Sequence, residues 1–424
     1  MNKQDQKYQN YIQILKEELV PAMGCTEPIA LAYGASLARD VLGERPTKIV
    51  VEASGSIIKN VKSVIVPHTH HLKGIKAAVC AGIVGGVSEQ KLEVISQIDE
   101  NEKGEIDAYI QQVNFEEHFL DSGKVFDFIV TVYDKENYAK VRMSDYHTNV
   151  VYIEKNGEVL KKQSEVIDKP QQTNRSLLDM ESIWDFCQSV DISDIQPVLE
   201  RQIAYNSAIA EAGLKDNYGA NIGKVLLKSF GDDVKNKAKA YAAAGSDARM
   251  NGCELPVVIN SGSGNQGMTC SLPVIVYAKE LQVSHETLLR ALALSNLVAI
   301  HEKSGIGTLS AYCGAVSAAT GAGAGIAYLH GEDYECIIHT IVNSLANVSG
   351  IVCDGAKASC AAKIASSLDA AILGYYMYKN GQEFKSGDGL VMNGVEETIQ
   401  SVGRLGKEGM KETNKEIIKM MIHE

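Results

Sequence analysis

Positive charge is the first thing this sequence is short of: 41 lysines and arginines face 53 aspartates and glutamates, a formal charge of −12 over 424 residues. Phosphates would be repelled over most of such a surface, which argues against nucleic acid and anionic membranes as partners. No cleavable leader is expected either, since residues 1–13 are polar and charged and no apolar stretch follows a basic start. Long runs of large aliphatic side chains do not occur either. The uncharged stretch from Ser304 to Leu329 is long enough to span a membrane, but it consists largely of Gly, Ala, Ser and Thr. It predicts a tightly packed interior helix pair instead, because small residues let backbones approach. A disulfide framework is also absent. The nine cysteines (25, 80, 187, 253, 270, 313, 336, 353 and 360) are odd in number and lack scaffold spacing, so a reducing, cytoplasmic setting is expected. Most should be buried thiols, with a minority serving as ligands or nucleophiles.

What is present is ordinary globular material, 45% hydrophobic and 22% charged, in a length that suggests two or three domains. In the first part, helical spacing runs over Tyr8–Val20, Pro28–Leu42 and Gly74–Val84, and KIVVEA at 48–53 reads as a strand ended by Ser54-Gly55-Ser56. Strand-like runs follow between Phe126 and Leu160, with a turn at Asn156-Gly157. The polar stretch 169–176, containing Pro170, marks the expected boundary. Beyond it strand signals almost vanish. Helices are expected over 182–190, 195–213, 225–229, 233–245, 284–300 and 334–346, with glycine-rich interruptions at 261–267 and 305–325. The expected fold class is therefore α+β, with an N-terminal α/β domain over 1–172 and a larger all-helical domain over 173–424.

Three groups of residues carry chemistry. The first is Cys313 with Cys353 and Cys360, the last two bracketing an Asp354-Gly355 turn. In a continuous helix those two would stand roughly 10 Å apart along the axis. A turn leading into a helix would bring their sulfurs closer and aim free backbone N–H groups at them, which favours thiolate and metal binding. Three thiolates suit an iron–sulfur cluster with one iron left open better than they suit four-ligand structural zinc, although on spacing alone inert core thiols are the favoured reading. The second group is Ser261, Gly262, Ser263, Gly264, Asn265 and Gln266, followed by Gly267. Its glycines permit backbone N–H groups to converge on a carboxylate or phosphate, and it lacks the Lys-Ser or Lys-Thr pair of a P-loop. The third is Gly24-Cys25-Thr26-Glu27-Pro28, where a cysteine just before a helix start would have an activated thiolate; a plain cap with an inert cysteine is the alternative. Lys303, in His301-Glu302-Lys303, either helps hold an anionic substrate or is a charged helix terminus. The tract Pro67-His68-Thr69-His70-His71 reads as a solvated or structural loop rather than a metal site.

Taken together, MGCTEP at 23–28, SGSIIKNVK at 54–62, NSGSGNQGM at 260–268, HEKSGIGTLSAYCGA at 301–315 and CDGAKASC at 353–360 resemble the L-cysteine desulfidases, relatives of the iron–sulfur L-serine dehydratases, nearly end to end. The resemblance implies a helical domain holding a 4Fe–4S cluster on Cys313, Cys353 and Cys360, and an α/β domain closing over a small amino-acid substrate. It implies Cys25 as the catalytic base, and Thr26, Ser54, the 261–266 loop and Lys303 as substrate contacts. The Ser-Ser-His-Thr loop of serine dehydratases appears here as Gly24-Cys25-Thr26, and the Cys353-to-Cys360 spacing is shorter. Both departures point to L-cysteine, cleaved to hydrogen sulfide, pyruvate and ammonia, with L-serine as the alternative substrate. A pyridoxal-phosphate enzyme and a non-catalytic cluster sensor or storage protein are the remaining readings. The chain is expected to work alone or as a homodimer.

Overall fold

The computed structural model describes residues 1–163, 173–307 and 310–422. Helix α1 (Gln6–Glu18) leads to the three-residue strand β1 (Pro21–Met23), helix α2 (Thr26–Leu42) and strand β2 (Lys48–Ala53). Three helices follow: α3 (Gly55–Val61), α4 (Gly74–Gly85) and α5 (Glu100–Gln112). Strands β3 (Asn114–Phe119), β4 (Asp127–Asp134), β5 (Asn137–Ser144), β6 (Val150–Lys155) and β7 (Glu158–Lys162) then complete a six-stranded sheet in the order β3-β2-β4-β5-β6-β7. Only β2 and β3 pair in parallel, and they are the pair joined through helices rather than a hairpin, as parallel pairing requires. In β2 the alternation of KIVVEA turns Ile49, Val51 and Ala53 inward. The Asn156-Gly157 turn has positive φ at both residues, the conformation that suits a two-residue hairpin.

The second part runs α6 (Met180–Ser189), α7 (Ile192–Lys215), α8 (Ile222–Phe230) and α9 (Val234–Met250), then the short strand β8 (Pro256–Val258). It continues with α10 (Gly264–Leu281), α11 (His285–Ile306), α12 (Ala315–Leu329), α13 (Tyr334–Asn347), α14 (Cys360–Lys379), α15 (Val395–Arg404) and α16 (Lys411–Ile422). The small-residue helix α12 is buried along almost its whole length and packs against α10, α11, α13 and α14. Its Gly321 lies against the Ser295 carbonyl and Gly325 against that of Ala291, contacts that any larger residue would push apart. No helix among the described residues is long and apolar enough to cross a membrane.

The α+β class holds, with three differences from the sequence reading. The helical part contains one strand, β8, which pairs antiparallel with β1 (Pro21↔Val258, Met23↔Pro256). The glycine-rich stretches are not interruptions throughout: α10 begins at Gly264 and α12 at Ala315, because tight packing on both sides rewards residues without bulk. Helix α1, first in the chain, packs on α6, α7 and α11, with Tyr8 Oη donating to Asp194 (2.7 Å) and Tyr11 Oη to the Leu177 carbonyl (2.7 Å). The expected boundary after residue 172 falls at 164–172, outside the described residues.

Candidate active site

The β1–β8 ribbon decides where the chemistry gathers. Immediately after β1 the chain enters the first turn of α2 at Cys25 to Glu27, and soon after β8 it enters the first turn of α10. Two distant segments are thus fixed side by side. Between β8 and α10, Asn260 and Ser263 exchange backbone hydrogen bonds across Ser261 and Gly262, both at positive φ (49° and 76°). That tight turn rests on buried amides: Asn260 Nδ2 donates to Asn296 Oδ1 (2.9 Å), and Asn296 Nδ2 to Gln202 Oε1 (2.8 Å). Thr26 Oγ1 reaches across to the Gly262 carbonyl (2.9 Å).

A second crossing brings the cysteines together. Cys313 N–H donates to the Ile351 carbonyl (2.8 Å) and Cys353 N–H to that of Ala311 (2.6 Å), so two short extended segments run side by side around Tyr312 and Val352. The Cys313 thiol is hydrogen-bonded to Cys353. That bond lowers the pKa of Cys353, with further help from Lys59 and the Gly355 N–H against the opposing effect of burial. Gly355 (φ +97°) makes the turn, its Cα pressed onto the Lys59 carbonyl, and Cys360 opens α14. Burial pushes the Cys360 thiol up.

All of this surrounds one cavity of about 110 Å³, lined by the three thiols and by residues of the first turns of α2, α10, α12 and α14. None of those four helices has a side-chain cap, a feature they share with α1, α3, α4, α8 and α15. The first-turn N–H groups of the four are therefore free of side-chain caps, and their dipoles favour anions. Such a volume is well under the ~300–1,000 Å³ of sites for drug-sized ligands and suits a small metabolite. His147, Ser261, Gly262 and Lys303 also line a wider cleft of about 1040 Å³.

Charge follows the same plan. Arg249, 2% exposed, lies in the wall of the cavity beneath Gly264, and among the described residues it pairs with no carboxylate. Lys303 is buried with its Nζ donating to the Gly307 carbonyl (2.6 Å), and burial brings its pKa down to about 8 despite nearby Cys353 and Cys313. Lys59 is buried too and donates to the Cys353 carbonyl (3.2 Å) and Asn414 Oδ1 (2.8 Å). Buried ammonium groups beside sulfur, with no carboxylate partner among the described residues, suit an anionic thiolate-held group. No three His, Cys, Asp or Glu side chains among the described residues are grouped to hold a single metal ion. A cube, by contrast, offers each thiolate its own iron.

Glu27 lines the same cavity. It accepts from Cys25 Sγ (3.1 Å), Thr26 Oγ1 (3.2 Å) and Asn60 Nδ2 (3.1 Å), and its Oε1 is 3.9 Å from His147 Nε2. Burial alone would raise this carboxyl, but His147 and the Cys25 thiol outweigh it and bring it down to about 2.

The structure brings Cys25, Ser261, Gly262, Ser263, Asn265, Gln266, Lys303, Cys313, Cys353 and Cys360 to this cavity. Thr26 braces its wall and Gly264 packs over Arg249. Ser54 is not brought there: it precedes α3 and gives its hydroxyl to the Val125 carbonyl (2.7 Å). The expected activation of Cys25 is also not met, since burial first and Glu27 second push its thiol up, overriding the helix start. His70 lies on the surface against Asp107 (2.5 Å), as a structural loop would have it. Sequence reasoning missed Arg249 and His147, which stand in no local motif, and passed over Asn60 and Glu27, which stand in SGSIIKNVK and MGCTEP.

Comparison with known proteins shows the family to which the chain belongs. The family model described as serine dehydratase alpha chain matches residues 89–419, a span that contains His147, Arg249, the 261–266 turn and the three cysteines. A UPF0597 protein of Desulfitobacterium hafniense (strain Y51) is 58% identical over 425 residues, covering 100% of this chain and 99% of that protein. One from Lachnoclostridium phytofermentans is 54% identical over 98% of this chain and 100% of its own length, and one from Fusobacterium nucleatum 44% identical over 98% and 99%.

Proposed function

We propose that this chain, which belongs to the serine dehydratase alpha chain family, is an iron–sulfur-dependent lyase that eliminates the β-substituent of L-cysteine, yielding hydrogen sulfide, pyruvate and ammonia. One observation carries the reading: a single small cavity is lined both by three thiols and by a buried arginine with an uncapped helix start. The first is a seat for a cluster, the second a seat for a carboxylate. Bound by Cys313, Cys353 and Cys360, a 4Fe–4S cluster supplies a Lewis-acidic iron for the departing substituent.

The chain's own residues do the rest. Arg249 and the first-turn N–H groups of α10 hold the carboxylate, with Lys303 adding charge, and this fixes the Cα–H bond in one direction. The 2-amino acid is confined by the Asn260–Ser263 turn, which the buried amides keep from shifting. Cys25, Ala356 and Ile364 give the cavity a soft wall with few hydrogen-bond donors, beside Cys360. A sulfur leaving group loses little there, whereas a hydroxyl would forfeit its hydrogen bonds. That wall, and Cys25 where serine dehydratases carry histidine, support cysteine over serine. L-Serine is the second reading, favoured by the family's own description.

The test is anaerobic purification with reconstitution, assay of iron and acid-labile sulfide, and measurement of pyruvate released from each amino acid. Bound iron with pyruvate and sulfide from L-cysteine supports the proposal. Iron-free protein ends it, and efficient turnover of serine with none of cysteine ends the desulfidase assignment.

A further inference from the structure

We infer that His147, paired with Glu27, is the group that takes the substrate's α-proton, an assignment that rests on the lyase reading above. His147 sits in the loop between β5 and β6, far in sequence from the cysteines, and only the packing of that loop on the Ser261-Gly262 turn brings it to the cavity. Gly262 permits this approach, since even a methyl there would stand 3.3 Å from His147 Cε1. The ring is 9% exposed and packs edge-on to Phe126 (4.8 Å between centroids), so its orientation is fixed. Its Nε2 is buried and has no hydrogen-bond partner, which is costly for a polar atom unless a ligand completes it. His147 lines both the inner cavity and the wide cleft, as Ser261, Gly262 and Lys303 do, so a proton taken from substrate there has a way to solvent.

The other candidates are occupied. Glu27 already accepts three hydrogen bonds, and that satisfaction makes a carboxylate a poor base while leaving it a good partner for a cation. Cys25 donates its proton to Glu27, and Lys303 donates to the Gly307 carbonyl. The remaining arrangement is an imidazole whose unbonded Nε2 stands 3.9 Å from a fixed carboxylate, so a proton taken at Nε2 lies beside the charge that stabilises it.

The step balances without a further reactant. Nε2 takes the Cα proton, the C–H electron pair becomes the Cα=Cβ bond, and the Cβ–S bond breaks with its pair leaving on sulfur. The products are 2-aminoacrylate and hydrosulfide, and the new imidazolium is paired with Glu27 until its proton passes to solvent. The charged or titratable groups around His147 are Glu27 and Cys25 at the start of α2, Arg249 on α9 and Lys303 on α11, with Glu17, Glu18, Tyr146, Lys161, Lys162 and Arg175 lining the cleft.

Reconstituted wild-type, His147→Ala, His147→Gln and Glu27→Gln proteins would be compared for iron content, for kcat and KM with L-cysteine, and for exchange of the Cα hydrogen of L-alanine into heavy water. L-Alanine has no leaving group, so exchange reads proton transfer alone. The inference expects unchanged iron in both His147 variants, a kcat at least ~100-fold down with KM within a few-fold, and loss of exchange. Added imidazole should restore part of the His147→Ala rate. Glu27→Gln should retain exchange at a reduced rate. Exchange by His147→Ala at the wild-type rate overturns the inference, as does a loss confined to KM. A wild-type holoprotein that holds iron but releases pyruvate from neither amino acid sinks the lyase reading instead.

Discussion

Arg249 Nη1 donates to Asn265 Oδ1 at 3.2 Å, while its own Nε, equally buried, has no acceptor. A guanidinium is never neutral in a protein, so this one is a charge awaiting a partner. The uncapped first turn of α10, to which Asn265 belongs, points to a carboxylate as that partner.

Replacing Arg249 by methionine should therefore raise KM for the amino acid by about 10- to 150-fold, the worth of a charged hydrogen bond at roughly 1.5–3 kcal/mol. Arg249→Lys should recover little, because a point charge lacks the planar fork. Steady-state kinetics on reconstituted protein decide this; an unchanged KM in both variants would place the carboxylate elsewhere.

Cys353→Ser should abolish most bound iron after anaerobic reconstitution, and Cys313→Ser and Cys360→Ser should do likewise. Cys336, buried far along the chain between α12 and α14, serves as the control, since Cys336→Ala should keep its iron. Iron and sulfide analysis and the visible spectrum give the answer.

Gly355→Ala puts a methyl into the Lys59 carbonyl at a residue with φ +97°. Backbone strain of about 1–3 kcal/mol is concentrated on the loop that carries Cys353, so cluster retention should fall along with the melting temperature. Gly331→Ala, at φ +77° with nothing within 4 Å, should lose some stability but hold its iron.

Glu302 offers a test by pH. It is 3% exposed, neither carboxylate oxygen has a hydrogen-bond partner, and burial raises its pKa well above 4.5 against a small opposing effect of Ser317. A carboxyl raised in the folded state contributes its stability below pH 4.5 and loses it as pH rises through the folded value, at up to about 1.4 kcal/mol per unit. Glu302→Gln has no such loss. Urea midpoints measured from pH 5 to 9 should show the variant gaining on wild type as pH rises, and parallel curves would refute the assignment.

Much of the architecture was legible in order along the chain. KIVVEA, the Asn156-Gly157 hairpin and the small-residue run of α12 each carry their own periodicity or turn chemistry. Helix α5 and strand β3 were missed because they are largely polar, with Ile106 and Tyr109 among the few buried side chains of α5. The strand β8 is three residues long, too short to show a period, and exists only because β1 is there to pair with it.

By itself the sequence determined the inventory: three cysteines in small-residue surroundings, a glycine-serine-amide turn, a CTEP helix start, and a net negative charge. Those follow from composition and from spacing within a few residues. Only the tertiary structure decided that Cys25 is a neutral thiol, that Ser54 faces a carbonyl, and that Arg249, Glu27 and His147 share the cavity with the thiols. The reason is that burial and long-range pairing set the electrostatics. A helix start favours a thiolate locally, but desolvation and the carboxylate of Glu27 outweigh it, and neither can be seen until the chain has folded.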